Sequence, residues 1–93
     1  IANDSAESVL YFSLGNQYAQ QSRWAEAQQA FAKAAGMDPE NADYAYNYAV
    51  SLEQTKQPLA ALQQYRRALV LGLQRASSFD PATAQARVQA LSR

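Results

Sequence analysis

Apolar residues recur every three or four positions along most of this chain, with polar residues between them, and this spacing predicts amphipathic helices. A first helix is predicted over residues 5–21 and a second over residues 24–36, with a short break at Ser22-Arg23 between them. Gly36 is expected to end the second helix in a left-handed conformation, and Asp38-Pro39 prevents its easy continuation. The pattern therefore predicts a helical hairpin.

The same arrangement of small and aromatic residues returns in the next segment of the chain, where Ala49 takes the place of Gly15. A third helix is predicted over residues 42–55, with Asn41 as its N-cap, and a fourth begins at Pro58, a residue favoured in a first helical turn. Gly15 weakens a helix by about 1 kcal/mol relative to Ala, so we expect a neighbouring helix to lie against it. The matching positions of the second helices are Ala27, Phe31 and Ala34 against Ala61, Tyr65 and Ala68.

An insertion separates the two Asp-Pro pairs, because Asp80-Pro81 follows Asp38-Pro39 by more than the offset that relates all the other matching positions. We expect residues 69–75 to prolong the fourth helix, residues 76–78 to form a loop, and Phe79 to pack back at the entry to a last helix over residues 81–91. An irregular loop from Gly72 onward is the alternative. The last helix is either a cap of the array or the opening helix of a truncated third repeat.

A helix-turn-helix unit of about this length, with this pattern of small and aromatic residues, resembles the tetratricopeptide repeat. The residues that carry the resemblance are Leu14, Gly15, Tyr18, Ala27, Phe31 and Pro39, with Tyr11 at the position where the family has Trp. The resemblance implies an all-α helical-repeat solenoid forming a single domain over residues 1–93. Its parts are a first repeat at 8–41, a second at 42–76 with an extended second helix or loop, and a capping helix at 80–92.

A solenoid of this family has a concave groove lined by the first helix of each unit. The resemblance implies a protein-interaction scaffold that binds a peptide or partner protein there, through Val9, Phe12, Asn16, Ala19, Gln20, Asp43, Tyr46, Asn47, Val50, Glu53 and Gln54. Asn16 and Asn47 match asparagines with which related domains hold a peptide backbone. Phe12 stands where the chaperone-binding carboxylate clamp has Lys, and Gln85 and Gln89 stand at its two other basic places if the last helix keeps the repeat register, so an acidic carboxyl terminus is not the expected ligand. The apolar groove residues beside the two asparagines suit an extended or helical peptide with an apolar side chain.

Two simpler interpretations of these aromatic residues stay open. Phe12 and Tyr46 could pack against the last helix or a neighbouring copy, and Trp24 and Tyr44 are expected to pack at helix entries. The residues 47–52 and 65–69 also resemble, faintly, repeat domains of proteobacterial envelope and pilus-assembly proteins.

Composition narrows the chemistry of the chain. It has 93 residues and neither cysteine nor histidine, so disulfides, cysteine-ligated metals and the commonest general base are excluded. No glycine-rich phosphate loop is present, and Asp38, Glu40 and Asp43 are explained by a helix amino terminus. We therefore expect no catalytic residues, no metal site and no cofactor, and predict that the chain is not an enzyme.

Charge is unevenly divided along the chain. Seven acidic residues accompany two basic ones up to Thr55, whereas six basic residues accompany one acidic residue from Lys56 onward. Such a division is compatible with steering of a partner or with head-to-tail stacking in a longer array, and two differently solvated faces are the simpler interpretation. Self-association as a segment of a larger assembly is the second functional hypothesis. Nucleic-acid binding at the basic end is the third, and we do not expect it. No apolar run reaches the roughly 20 residues of a membrane span and no signal peptide is apparent, so a soluble cytoplasmic or periplasmic domain is expected.

Overall fold

The computed structural model of the chain describes residues 4–75 and 77–92, with side chains from residue 6 onward. Within these residues five helices follow one another: α1 Asp4–Gln20, α2 Trp24–Met37, α3 Ala42–Gln54, α4 Pro58–Gln74 and α5 Pro81–Leu91. No strand occurs among them. The predicted all-α architecture is confirmed.

The turns inside the two helix pairs are built in the same way. Ser22 and Lys56 both have a positive φ, of 60° and 66°, although neither is glycine. The backbone N–H groups of Arg23 and Gln57 then donate to the carbonyl groups of Tyr18 and Leu52, each at 2.9 Å. These bonds satisfy carbonyl groups that a helix end would otherwise leave unpaired. The repeat seen in the sequence therefore extends to individual backbone hydrogen bonds.

At the outer ends of the helices the predicted Asn41 cap is confirmed, Asp80 is a cap that was not predicted from the sequence, and the predicted end of α2 is wrong. The Asn41 side chain accepts the N–H of Tyr44 at 3.1 Å, and that of Asp80 accepts the N–H of Ala82 at 3.0 Å. The prediction that Gly36 ends α2 in a left-handed conformation is wrong, because α2 continues to Met37 and no glycine in the described residues has a positive φ. The helix ends instead where the Asp38 N–H donates to Ala34.

Each helix packs on the next, so that α1 pairs with α2, α2 with α3, α3 with α4 and α4 with α5. Alanines at these contacts are almost completely buried and let the helix axes approach closely. Phe31 and Tyr65, 1% and 2% exposed, fill the space inside the two pairs. A Cβ atom added to Gly15 would lie only 2.6 Å from Cε1 of Phe31, which confirms the close approach expected there.

The added residues lengthen α4 rather than forming a loop from Gly72, since the helix runs to Gln74. The irregular-loop alternative is therefore wrong. Residue 76, where the predicted loop begins, lies outside the described residues. Phe79 packs back onto the repeats, as expected, and α5 buries Ala84 against the cluster that contains Ala49 and Tyr65.

Candidate peptide-binding groove

A cavity of about 280 Å³ opens between the first helices of the successive helix pairs. Phe12 of α1 lines one side, and Asp43, Tyr46 and Asn47 of α3 line the floor. Ser78 and Phe79, from the segment before α5, form the remaining wall. We call this space the aromatic cavity, because three of its six lining side chains are aromatic rings.

The wall before α5 is attached to α3 by a single carboxylate. Oδ1 of Asp43 accepts the backbone N–H of Ser78 at 2.8 Å and that of Phe79 at 3.1 Å. The Phe79 ring stacks on Tyr46, with centroids 4.7 Å apart and an interplanar angle of 3°. Tyr46 in turn meets the edge of Tyr65 at 5.7 Å. The wall is thus continuous with the core of the second helix pair.

Phe12 belongs to a separate aromatic cluster on the other side of the cavity. Its ring lies 4.8 Å from that of Tyr44 and 5.7 Å from that of Phe31, between centroids. Tyr44 is buried at the entry to α3, as predicted, and its hydroxyl lies 3.3 Å from that of Ser8. Phe12 therefore joins the two helix pairs while remaining partly exposed to the cavity.

The two asparagines differ in how they are held. Nδ2 of Asn47 donates to the backbone carbonyl of Asp43 at 2.9 Å, which orients the amide and leaves its oxygen without a donor among the described residues. Asn16 is half-buried, and no hydrogen bond of its side chain occurs in that part of the chain. Each amide therefore has unused capacity for a peptide backbone.

Glu53 is held by a network that reaches α5. It accepts a hydrogen bond from the Tyr65 hydroxyl at 2.9 Å and another from Nε of Arg87 at 3.2 Å, and it also pairs with the Arg87 terminal nitrogen. Burial, and to a smaller extent the charge of Tyr46 when ionised, raises the pKa of Tyr65 to about 12. Tyr65 therefore keeps its proton, and donates it, at neutral pH.

The structure brings together only part of the predicted groove set. Phe12, Asp43, Tyr46 and Asn47 share the aromatic cavity. Val50 packs against the core, and the more peripheral positions are the exposed Val9, Gln20 and Gln54 and the half-buried Ala19. The interpretation that Tyr46 packs at the last helix agrees with its stacking on Phe79.

Sequence reasoning did not place Ser78 and Phe79 in the groove. The available signal was the insertion that ends in an aromatic residue next to Asp80-Pro81. That signal indicated packing at the helix entry but did not identify Tyr46 as the partner.

The described residues were also compared with the requirements of a metal site and of a membrane span. In residues 4–75 and 77–92 no group of three or more acidic side chains is arranged so that it could hold a metal ion. Across the same residues, none of the helices combines the length and apolar character needed to cross a bilayer.

Comparison with known proteins places the chain in a family. A family model described as tetratricopeptide repeat matches residues 12–81, which is most of the chain. A comparison with curated protein sequences finds no match. The matched residues run from the middle of α1 to the start of α5 and so include both helix pairs with their repeated turns. The chain belongs to the tetratricopeptide repeat family.

Proposed function

We propose that this domain is a non-catalytic scaffold that binds a peptide in its groove, with an apolar side chain of the peptide in the aromatic cavity. Tetratricopeptide repeats generally mediate protein–protein interactions, and the cavity is the observation that carries the finer proposal. Phe12, Tyr46 and Phe79 offer ring surface, and Asn47 offers an amide oxygen at the same place. This combination suits a side chain followed by a peptide backbone.

The size and charge of the cavity narrow the class of ligand. About 280 Å³ is at the small end of sites for whole small molecules and fits one side chain better. The carboxylate of Asp43 lies in the floor of the cavity, so an acidic residue of the peptide would be repelled there. We therefore expect neutral or basic peptides with a leucine, methionine or aromatic anchor.

Selection from a randomised peptide library on the immobilised domain tests this proposal. Peptides that are selected should share an apolar anchor, and their affinity is then measured by titration calorimetry. Asn16→Ala combined with Asn47→Ala should weaken binding by about tenfold or more, because two hydrogen bonds to the peptide backbone are lost. Gln63→Ala, at an exposed position of α4 outside the cavity, is the matched control and should bind as the unchanged domain does.

Two results would contradict groove binding. One is a selection that yields no peptide above background, and the other is a set of peptides whose affinity does not respond to the asparagine substitutions. The resemblance to proteobacterial envelope and pilus-assembly domains, and the compartment, remain predictions that this experiment does not address.

Nucleic-acid binding is a weaker candidate because three of the basic residues are held by partners inside the chain. Arg67 donates to the Pro39 carbonyl at 2.7 Å, Arg75 lies 3.9 Å from the Asp38 carboxylate, and Arg87 pairs with Glu53. Phosphate contacts would have to displace these partners. Retention on single-stranded RNA that falls steeply with salt would favour this alternative.

A further inference from the structure

Two exposed apolar strips remain, one on α1, the first helix of the array, and one on α4, the helix before the last. On α1, Leu10 and Leu14 are 68% and 39% exposed, and on α4, Val70 and Leu73 are 56% and 89% exposed. Glu7 precedes the first pair, and Arg66 precedes the second. We propose that the α1 strip (Glu7, Leu10, Leu14) of one copy docks head-to-tail on the α4 strip (Arg66, Val70, Leu73) of a second copy.

The two strips match in spacing. Residues three, four and seven positions apart lie along one side of a helix, and both strips follow that rule. Each extends over seven residue steps, about 10 Å at a rise of about 1.5 Å per residue. When the helices are aligned in parallel, Glu7 meets Arg66, Leu10 meets Val70 and Leu14 meets Leu73. One alignment therefore satisfies the charged and the apolar positions together.

A cavity beside the α4 strip provides a seat for a leucine side chain. It measures about 180 Å³ and is lined mainly by Leu69, Val70, Leu73, Phe79 and Pro81. It exists because α4 is prolonged and the following segment returns across Gly72. A leucine of the α1 strip placed in this cavity would be removed from water, and it would also cover the apolar cavity wall that is otherwise exposed.

Charge selects a second copy in the head-to-tail orientation as the occupant. Other charged residues are paired inside the chain, as with Glu53 and Arg87 or Asp38 and Arg75. Glu7 and Arg66 take part in none of the ion pairs formed by the described residues. Joining unlike strips pairs these two charges, whereas joining two α4 strips brings arginines together.

A contact between unlike surfaces leaves one strip free on each copy, so it extends into a chain of copies rather than closing as a dimer. A single helix-to-helix contact buries little area, and the association is therefore weak and most evident at high protein concentration. The strips lie outside the aromatic cavity that forms the proposed peptide site. Failure of either proposal thus leaves the other unchanged.

Cross-linking tests the contact directly because the chain contains no cysteine. A Leu10→Cys chain is mixed with a Val70→Cys chain and oxidised, because the alignment places these two residues opposite each other, and Leu14 is left to occupy the cavity. We expect the mixed disulfide to exceed both symmetric products. The matched control replaces Leu10→Cys by Val9→Cys, which is 52% exposed but points away from the strip. Mixed product no greater than in this control, or mainly symmetric products, would overturn the proposal.

Charge exchange gives a second, independent measurement by sedimentation equilibrium up to millimolar protein. Glu7→Lys and Arg66→Glu should each weaken association by about two- to fivefold, as expected for one exposed ion pair. The double variant should recover the association of the unchanged chain. A domain that stays monomeric at every concentration, or charge variants that associate equally, would show that copies do not dock in this way.

Discussion

The groove sides of the two helix pairs differ although their backbones repeat. In the first pair, Asn16 and Gln20 of α1 have no internal hydrogen-bonded partner in the described chain. In the second, Asp43 holds the segment before α5, Tyr46 is covered by Phe79, and Glu53 pairs with Arg87. The groove side of the first pair thus keeps polar side chains with unused hydrogen-bonding capacity, whereas that of the second pair is used to attach the terminal helix.

The interiors of the two pairs differ in a related way. The first combines Gly15 with Phe31, and the second combines Ala49 with Tyr65 at the equivalent positions of the repeat. Phe31 lies against the Gly15 backbone, whereas Ala49 is fully buried in its own pair and its methyl group is accommodated. Tyr65 differs further because its hydroxyl reaches Glu53. The second pair therefore lacks the contact between an aromatic ring and a glycine backbone that the first pair has, and it has instead a polar link from Tyr65 through Glu53 to Arg87 of α5.

The largest expected effect on stability comes from Gly15→Ala, which gives the first pair the alanine that the second pair has at the equivalent position. Gly15→Ala should destabilise the domain by about 1–3 kcal/mol, because the buried Phe31 ring must move and this cost exceeds the gain in helix propensity. Gly36→Ala is the control, since a Cβ atom there meets nothing within 4 Å. It should raise stability by up to about 1 kcal/mol. Denaturant unfolding measures both, and equal effects of the two changes would refute the packing explanation.

Releasing the terminal segment should have an intermediate effect. Asp43→Ala removes the acceptor of two backbone N–H groups and should cost about 1–2 kcal/mol. Hydrogen exchange at the Ser78 and Phe79 amides should become faster, while the α1 amides keep their protection. Glu40→Ala, an exposed acid in the preceding turn, is the control. Unchanged exchange at residues 78 and 79 would mean that Asp43 does not hold the segment.

The smallest effect concerns Tyr65 and is seen in alkaline solution. Near neutral pH, Tyr65→Phe should cost about 1 kcal/mol by removing the bond to Glu53. The folded chain holds the phenol proton up to a pKa of about 12, whereas the unfolded chain releases it near 10. The stability that comes from this raised pKa of Tyr65 is fully present below pH 10 and is lost as the pH rises towards 12. The gap in unfolding free energy between the original chain and Tyr65→Phe should narrow over that range, and a constant gap would contradict it.

Helix positions were predictable because the same signals occur twice. All five predicted helices end within two residues of the observed ends, and the capping role of Asn41 is confirmed. The left-handed Ser22 and Lys56 were not predicted, since the sequence has no glycine there to indicate a positive φ. The turn geometry accompanies the backbone hydrogen bonds from Arg23 to Tyr18 and from Gln57 to Leu52, and the residue types at positions 22 and 56 do not reveal it.

The candidate site was less predictable than the helices, because part of it comes from a segment that has no periodic pattern. Helical spacing assigns Phe12 and Tyr46 to the helix faces that meet in the cavity, whereas Asn47 is assigned by the resemblance to the family. The contact between Tyr46 and Phe79 depends on how the segment before α5 crosses the array, and no periodic pattern describes such a path. The same holds for Glu53, whose partners Tyr65 and Arg87 lie far along the chain, on α4 and α5.

Asp43 ties the segment before α5 through backbone N–H groups, which are the same for every amino acid except proline. The side chain of Ser78 can therefore change while its attachment to α3 stays intact, whereas Phe79 is also held by its stacking on Tyr46. The Ser78 part of the cavity wall can thus diverge between related proteins at little expense in folding, and protein engineers can vary it without redesigning either helix pair.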